Sequence, residues 1–195
     1  MANIILETAR GIQPIAITDE LLRNRVIFLE EEVTPTRVNS IIKQLMYLEM
    51  EDSEAEITIY INSPGGDVMS GLALYDCMSL ITPPIRTVCI GSASSMAAIL
   101  FLAGDTRQML PHSKLMIHDP SFSKAEISGN KPHEIQQKLD TLNEIKHMLA
   151  KIIALHTDKS VEEVEEETEE DTYYDAETAI KNGLADEILS KFRIN

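Results

Sequence analysis

The chain has 195 residues, of which 17 are Lys or Arg and 32 are Asp or Glu, so its formal net charge at pH 7 is −15. This length predicts one domain that is large enough to bury a sizeable core. A strongly negative protein repels phosphate groups, which argues against nucleic acids and anionic membrane surfaces as partners. Hydrophobic residues make up 44% of the chain, as in folded globular proteins, and the absence of Trp predicts an aliphatic core.

The first ten residues contain no basic stretch followed by a long apolar one, so we expect no secretory leader. The longest apolar run, residues 96–103, is too short for a membrane span, which takes about 20 residues. Cys77 and Cys89 lack CxxC spacing, and we expect two buried, reduced thiols. Reduced thiols are typical of cytoplasmic proteins.

The sequence gives no support for metal or nucleotide chemistry. His133 and Glu134 begin like a zinc-binding HExxH helix, but Gln137 stands where the second His is needed. The chain also lacks a P-loop, a GxGxxG segment and a Cys/His cluster. We therefore expect neither a cofactor nor a metal.

The first half of the chain predicts helices and strands in alternation. Residues 1–18 show no clear pattern, and we expect them to be mobile. Thr34 and Pro35 suit the N-cap and first position of a helix with apolar residues at Val38, Ile41, Ile42 and Leu45.

A strand–turn–helix pattern then occurs twice. Glu56–Ile61 predicts a strand, an obligate turn follows, and helical spacing runs from Val68 towards Pro83-Pro84. Ile85–Ile90 predicts the second strand, followed by Gly91–Ser95 and an apolar helix. This alternation is typical of an α/β fold with a mostly parallel sheet.

The second half predicts a strand at Lys114–His118, a loop at 120–132 and a long amphipathic helix at 134–156. At 1.5 Å per residue this helix measures roughly 34 Å, which is longer than a domain of this size needs internally. We interpret it as an oligomerisation element, with a simple covering helix as the alternative.

Two further helices are predicted near the C-terminus. Ser160 and Glu163 match a capping box that opens a short helix, and Asp175 and Gly183 suit the start and end of the last one. Eight of the ten residues from 162 to 171 are acidic, which is typical of a solvated helix face.

Three features have side chains or backbone suited to catalysis. The pair Gly65-Gly66 can expose bare backbone amides to a ligand, although most such pairs form simple turns. The segment Gly91–Ser95 places hydroxyl groups at a helix N-terminus, where amides favour a developing oxyanion, although N-capping by Ser92 or Ser94 is an alternative. His118 ends a predicted strand, where a structural histidine is more common than a base.

Together and in this order, these segments closely resemble the signature segments of the Clp protease proteolytic subunits. The resemblance rests on residues 60–66 (YINSPGG), 91–96 (GSASSM) and 115–120 (LMIHDP), and extends to 25–29 and 182–186. It covers almost the whole chain and is weakest at about 119–133.

The resemblance implies a serine protease triad. It makes Ser95 the nucleophile, because Ser95 precedes Met96 as the family serine precedes its Met. It makes His118 the general base and Asp171 the orienting acid, and it assigns the oxyanion hole to the backbone amides of Gly66 and Met96. Among the neighbouring acids we expect Asp171 to be buried by a tertiary contact.

The resemblance also implies a fold and an assembly. The fold is a crotonase/ClpP-like spiral of repeated β-β-α units, with a mobile axial segment (1–18), a head (19–119 and 157–195) and a protruding handle (120–156). Two stacked heptameric rings, homomeric or mixed, would form a cytoplasmic tetradecamer that degrades unfolded polypeptides. An AAA+ unfoldase of the ClpX, ClpA or ClpC type would use the ATP and dock near Met46, Tyr60 and Leu80.

Four departures from the family pattern lead to an alternative. Asp119 stands where the family usually has Gln, Glu169-Glu170 replaces an acidic–Arg pair that links the rings, 121–128 lacks glycines of the substrate-binding strand, and 104–110 is shorter. The alternative function is a weakly active or non-catalytic ring subunit in a mixed complex. A second alternative is an acyl-CoA enzyme of the crotonase type, which would not need the ordered Ser and His.

Overall fold

The computed structural model describes residues 3–8, 11–122 and 128–192. Most of the glycine-poor segment 121–128 lies outside the described residues, so its predicted effect on substrate binding and ring docking stays a prediction.

The helices are α1 (Ile17–Arg23), α2 (Pro35–Glu51), α3 (Val68–Leu80), α4 (Met96–Leu102), α5 (Pro132–Leu155), α6 (Val161–Glu167) and α7 (Ala176–Lys181). The strands are β1 (Asn3–Thr8), β2 (Gly11–Ala16), β3 (Val26–Glu30), β4 (Ile57–Ser63), β5 (Ile85–Ser94), β6 (Thr106–Met109), β7 (Lys114–Ile117), β8 (Thr172–Asp175) and β9 (Glu187–Ile188).

The main sheet has the strand order β3-β4-β5-β6-β9, and all neighbours along this path are parallel. Strand β7 pairs in parallel with the end of β5, and β8 pairs antiparallel with β7. This arrangement confirms the predicted α/β class with a mostly parallel sheet.

A register shift divides β5 into two halves with different neighbours. Ile61 of β4 lies opposite Cys89, but Ser63 lies opposite Ala93, so β5 gains two residues there. Asn62 holds the shift, because its side-chain oxygen accepts a hydrogen bond from the Ser92 amide at 3.0 Å. The first half of β5 pairs with β6 and the second with β7, so β5 delivers its C-terminal end to a different strand.

The core is aliphatic, as the composition predicts. Helix α4 is its most enclosed element, since each of its residues from Met96 to Leu102 is at most 3% exposed. Helices α2 and α3 contribute Val38, Leu45, Leu74 and other buried side chains on the same side. The expectation of two buried thiols is half right: Cys89 is buried and Cys77 is only half-buried, and both are free.

The long predicted helix is confirmed as α5, with two different halves. Ile135 and Leu139 near its start are each 42% exposed, whereas Ala150, Ile152 and Ile153 near its end are buried. The apolar stripe is therefore partly uncovered in the single chain. The division into axial segment, head and handle stays a prediction.

Capping signals located helix starts well, whereas several short elements were missed. Thr34 accepts from the Arg37 amide, Ser160 from the Glu163 amide and Asp175 from the Thr178 amide, as predicted. Residues 3–8 and 11–16 form an antiparallel hairpin, although no pattern in this part of the sequence predicted one. Helix α1 and strands β3, β6, β8 and β9 were also missed, because segments this short give only a weak periodic signal. Across the described ranges, no helix combines the length and apolarity needed to cross a membrane.

The packing of α4 leads to a stability prediction. Leu100 is fully buried in α4, whereas Leu80 at the end of α3 is 84% exposed. We expect Leu100→Ala to lower the free energy of unfolding by about 2–5 kcal/mol through lost burial and a residual cavity. The matched Leu80→Ala should change it by less than about 0.5 kcal/mol. Chemical denaturation of both variants measures this, and equal losses would contradict the predicted core.

Candidate active site

Ser95 lies on a strained turn between β5 and α4. Its backbone angles are φ 55° and ψ −127°, and a positive φ is uncommon for a residue with a side chain. Ser95 occupies the N-cap position of α4, yet its side chain makes no capping hydrogen bond. The strain therefore directs the hydroxyl away from the helix and leaves it free for another partner.

That partner is His118, as the sheet register dictates. Ser94 of β5 lies opposite Met116 of β7, and the Ser95 amide donates to the Met116 carbonyl at 2.8 Å. Two residues further along, the ring of His118 meets the serine. The distance from His118 Nε2 to Ser95 Oγ is 2.8 Å, within the normal range for a hydrogen bond.

The other serines of the segment bond to each other. Ser92 Oγ and Ser94 Oγ are 2.8 Å apart, and neither caps α4. The N-capping alternative for Ser92 and Ser94 is therefore wrong, and Ser95 is the serine that the fold places beside the imidazole.

Asp171 lies near His118 because β7 and β8 are antiparallel. Ile117 pairs with Thr172, so continuing the register brings residues 118 and 171 face to face. His118 Nδ1 and Asp171 Oδ1 are 3.8 Å apart, which is too long for a hydrogen bond. The Asp171 side chain is also 59% exposed, so the expectation that it is buried is wrong. It follows an irregular loop rather than a packed element, and it faces solvent in the single chain.

The loop that carries Asp171 is fixed on both sides. Before it, the Asp119 amide donates to the Thr168 carbonyl and the Thr168 hydroxyl donates to the Asp119 carboxylate, each at 2.7 Å. After it, the Thr172 hydroxyl donates to the Glu167 carbonyl at 2.7 Å. Residue 171 can thus move relative to His118 only within a short, tethered loop.

A partly buried cluster supports β8 next to this loop. The Tyr174 hydroxyl donates to the Glu167 carboxylate, which also accepts from Lys159 Nζ at 2.7 Å. Burial, and then the hydrogen bond to Glu167, raise the pKa of Tyr174, so the phenol stays protonated and remains a donor.

Gly65 lies directly against the serine turn, and Gly66 packs against the backbone of Val33. A Cβ on Gly65 would come within 2.8 Å of Ser95 Cβ and 2.9 Å of the Met96 nitrogen. The bonds from the Val33 amide to Gly65 O and from the Asp67 amide to Val33 O fix the backbone on either side of Gly66. Within the described residues, the amides of Gly66 and Met96 donate to no protein acceptor. Both predicted oxyanion donors are thus free to bind a ligand.

A small cavity of about 30 Å³ opens beside the Ser95–His118 pair. Most of its wall is apolar, and Asp119, Lys146 and Thr168 form its polar part. The sequence drew attention to Asp119 but missed the other two. Lys146 lies on α5 and Thr168 lies after α6, so only folding brings them to Asp119. Their spacing along the sequence therefore did not predict this contact.

The residues predicted to form the docking surface differ in exposure. Met46 is 56% exposed and Leu80 is 84% exposed, but Tyr60 is only 5% exposed. Phe28 stacks on the Tyr60 ring at a centroid distance of 5.2 Å. The tyrosine therefore lies beneath the surface of the single chain, and its part in docking stays a prediction.

This geometry suits acyl transfer. A hydroxyl hydrogen-bonded to an imidazole can lose its proton as it attacks a carbonyl, and bare amides can stabilise the oxyanion that forms. In agreement with this chemistry, the family model described as Clp protease matches residues 9–192, nearly the whole chain.

The close approach of Gly65 to the turn leads to a second prediction. We expect Gly65→Ala to lower the rate at which a fluorophosphonate probe modifies Ser95 by about 100-fold or more, because the Cβ of the alanine would displace the serine turn. Gly129→Ala is the matched control: both glycines have positive φ, +91° and +77°, but nothing lies within 4 Å of a Cβ at Gly129. Labelling rates of the two variants check this, and similar rates would contradict the proposed crowding.

Proposed function

The chain belongs to the Clp protease family, a family of peptidases, and from this premise we propose that it is a serine endopeptidase subunit. Ser95 is the nucleophile, His118 the general base and Asp171 the orienting acid. The observation that carries the proposal is the 2.8 Å contact between Ser95 Oγ and His118 Nε2. The free amides of Met96, which follows Ser95, and of Gly66, which follows the Gly65 packed on the serine turn, support the same reaction.

In the proposed mechanism, Ser95 Oγ attacks the peptide carbonyl carbon while His118 Nε2 takes the hydroxyl proton. The carbonyl oxygen becomes an oxyanion, which accepts hydrogen bonds from the amides of Gly66 and Met96. Collapse of this intermediate breaks the C–N bond, and His118 returns the proton to the leaving amine. Water, activated by His118, then hydrolyses the acyl-enzyme and regenerates Ser95.

Asp171 contributes while the imidazole is charged. With Nε2 accepting from Ser95, the ring carries its proton on Nδ1, the nitrogen that faces Asp171. At 3.8 Å the carboxylate already lies within electrostatic range of the imidazolium. A movement of about 1 Å would create a normal hydrogen bond and fix the tautomer.

We extend the proposal to assembly and partners. The subunit forms two stacked heptameric rings, homomeric or mixed, in the cytoplasm, and an AAA+ unfoldase feeds it unfolded polypeptides. The half-exposed apolar residues Ile135 and Leu139 of α5 support contact with other subunits. Exposed Met46 and Leu80 support docking of the ATPase. Since ATP is used by the partner, this chain needs no cofactor of its own.

One observation favours the second candidate, a weakly active or non-catalytic subunit of a mixed ring. Asp171 is exposed and does not reach hydrogen-bonding distance of His118. The neighbouring Glu169 and Glu170 add negative charge, which repels an acidic partner across an interface. In this candidate a second type of subunit would be needed to align the loop.

Labelling with a fluorophosphonate tests the nucleophile. We expect covalent modification of Ser95, detected by intact mass and peptide mapping, since only an activated serine reacts quickly with the probe. Ser95→Ala should abolish labelling, whereas Ser92→Ala, three residues earlier in β5, should retain it. Labelling of a residue other than Ser95 would contradict the serine protease proposal. Absence of labelling, both with and without candidate partner subunits, would also contradict it and would favour the non-catalytic candidate.

The role of Asp171 leads to a further prediction. We expect Asp171→Asn to lower the rate of peptide hydrolysis by about 100-fold or more, given that the equivalent change in a serine protease triad costs about 10⁴. Glu162→Gln removes an exposed charge of the same sign from α6 and should change the rate less than about threefold. If both variants lose the same activity, Asp171 acts only through general surface charge.

A further inference from the structure

The polar end of the cavity beside Ser95 contains an ion pair that triad chemistry does not use. Lys146 Nζ donates to Asp119 Oδ2 at 2.7 Å, and the Thr168 hydroxyl donates to Asp119 Oδ1 at 2.7 Å. Both carboxylate oxygens therefore have a partner. The apolar side chains of Met96, Ile99 and Ile117 form part of the remaining wall.

The position of this ion pair relative to the nucleophile is fixed by the chain. Asp119 directly follows His118, and its backbone amide donates a hydrogen bond to the Thr168 carbonyl at 2.7 Å. In an acyl-enzyme the substrate residue that donates the carbonyl is bonded to Ser95 Oγ, so its side chain starts within a few ångströms of the cavity. We call this residue the acyl-side residue. Since Ser95, His118, Asp119 and Lys146 all line the cavity, that side chain would begin beside the ion pair.

The pair is shielded enough for its charges to matter. The Asp119 side chain is 30% exposed and the Lys146 side chain 24% exposed. The hydrogen bond to Asp119, with a further contribution from Glu169 and Glu165, raises the pKa of Lys146, so the ammonium stays charged at neutral pH. Removal of one partner therefore leaves the other charge without its hydrogen-bonded counter-charge beside the cavity.

Building on the proposed function, we infer that the Asp119–Lys146 pair sets the charge preference of the acyl-side subsite. While the charges neutralise each other, the subsite accepts uncharged side chains and disfavours Lys and Glu, either of which would have to compete with an existing partner. If Lys146 is lost, the free Asp119 carboxylate attracts a basic side chain. If the Asp119 charge is lost, the Lys146 ammonium loses its hydrogen-bonded carboxylate, and although Glu165 and Glu169 still act on it from further away, it attracts an acidic side chain.

The test measures how fast peptidyl phosphonate esters modify Ser95. Three probes share one peptide sequence and differ only in an acyl-side Leu, Lys or Glu, and intact mass gives the second-order rate for each. Wild type should react with the Leu probe at least tenfold faster than with the other two. Lys146→Met should raise the Lys-to-Leu rate ratio at least tenfold, and Asp119→Asn should raise the Glu-to-Leu ratio by a similar factor.

Two controls separate a local effect from a general one. Lys151→Met removes the same charge from an exposed site on α5 and should leave all ratios within about twofold of wild type. The double variant Asp119→Asn/Lys146→Met should return to the preference for Leu. Because each rate ratio is taken within one folded sample, partial loss of active protein cancels, and the two single variants test the inference independently.

The outcomes distinguish the inference from the proposed function. One outcome overturns the inference alone: Ser95 reacts with the fluorophosphonate, but the Leu, Lys and Glu probes keep the same order of rates in wild type and in both single variants. Ser95 that reacts with no probe overturns the proposed function and the inference with it. Opposite shifts in the two single variants, absent from Lys151→Met, would establish the pair as the specificity determinant.

Discussion

The candidate site depends on one structural constraint, the double pairing of β7. On one edge β7 pairs in parallel with the end of β5, and on the other it pairs antiparallel with β8. The first register places Ser95 beside His118, and the second brings Asp171 opposite it. Because backbone hydrogen bonds set both registers, three side chains far apart in sequence are positioned by the sheet rather than by contacts among themselves.

The pairing is available only because β5 changes neighbours midway. The two extra residues at the register shift let β5 leave β6 and turn towards β7, and Asn62 fixes that shift through the Ser92 amide. A Cβ at Gly91 would lie 2.4 Å from the Asn62 side-chain oxygen, so this packing requires glycine. The strained turn at Ser95 follows directly, held by the enclosed helix α4 behind it. The surrounding core thus stabilises a conformation that a serine would not adopt alone.

The sequence predicted the elements with strong local signals, and the site in part. The capping residues Thr34, Ser160 and Asp175 located three helix starts, because capping is a local interaction. Family resemblance chose Ser95 among three candidates, and the structure brings it to His118. Some features could not be predicted, because each depends on contacts between distant segments. These are the short strands β6, β8 and β9, the pairing of β8 with β7, and the Lys146–Asp119 pair. The exposure of Asp171 was missed for the same reason.

The 3.8 Å distance between His118 and Asp171 is best explained by the charges and solvent exposure of the loop that carries Asp171. Asp171 lies in a run of acidic residues, and its carboxylate must approach the imidazole of His118. Water stabilises this negative charge more than the neutral imidazole ring does. The attraction strengthens only when the imidazole takes a proton or when water is excluded from the loop. Since Thr168 and Thr172 tether the loop on both sides, the required movement is small. Another subunit covering residues 169–171 could exclude that water and favour closure, so the same exposed carboxylate is compatible with a triad completed by assembly.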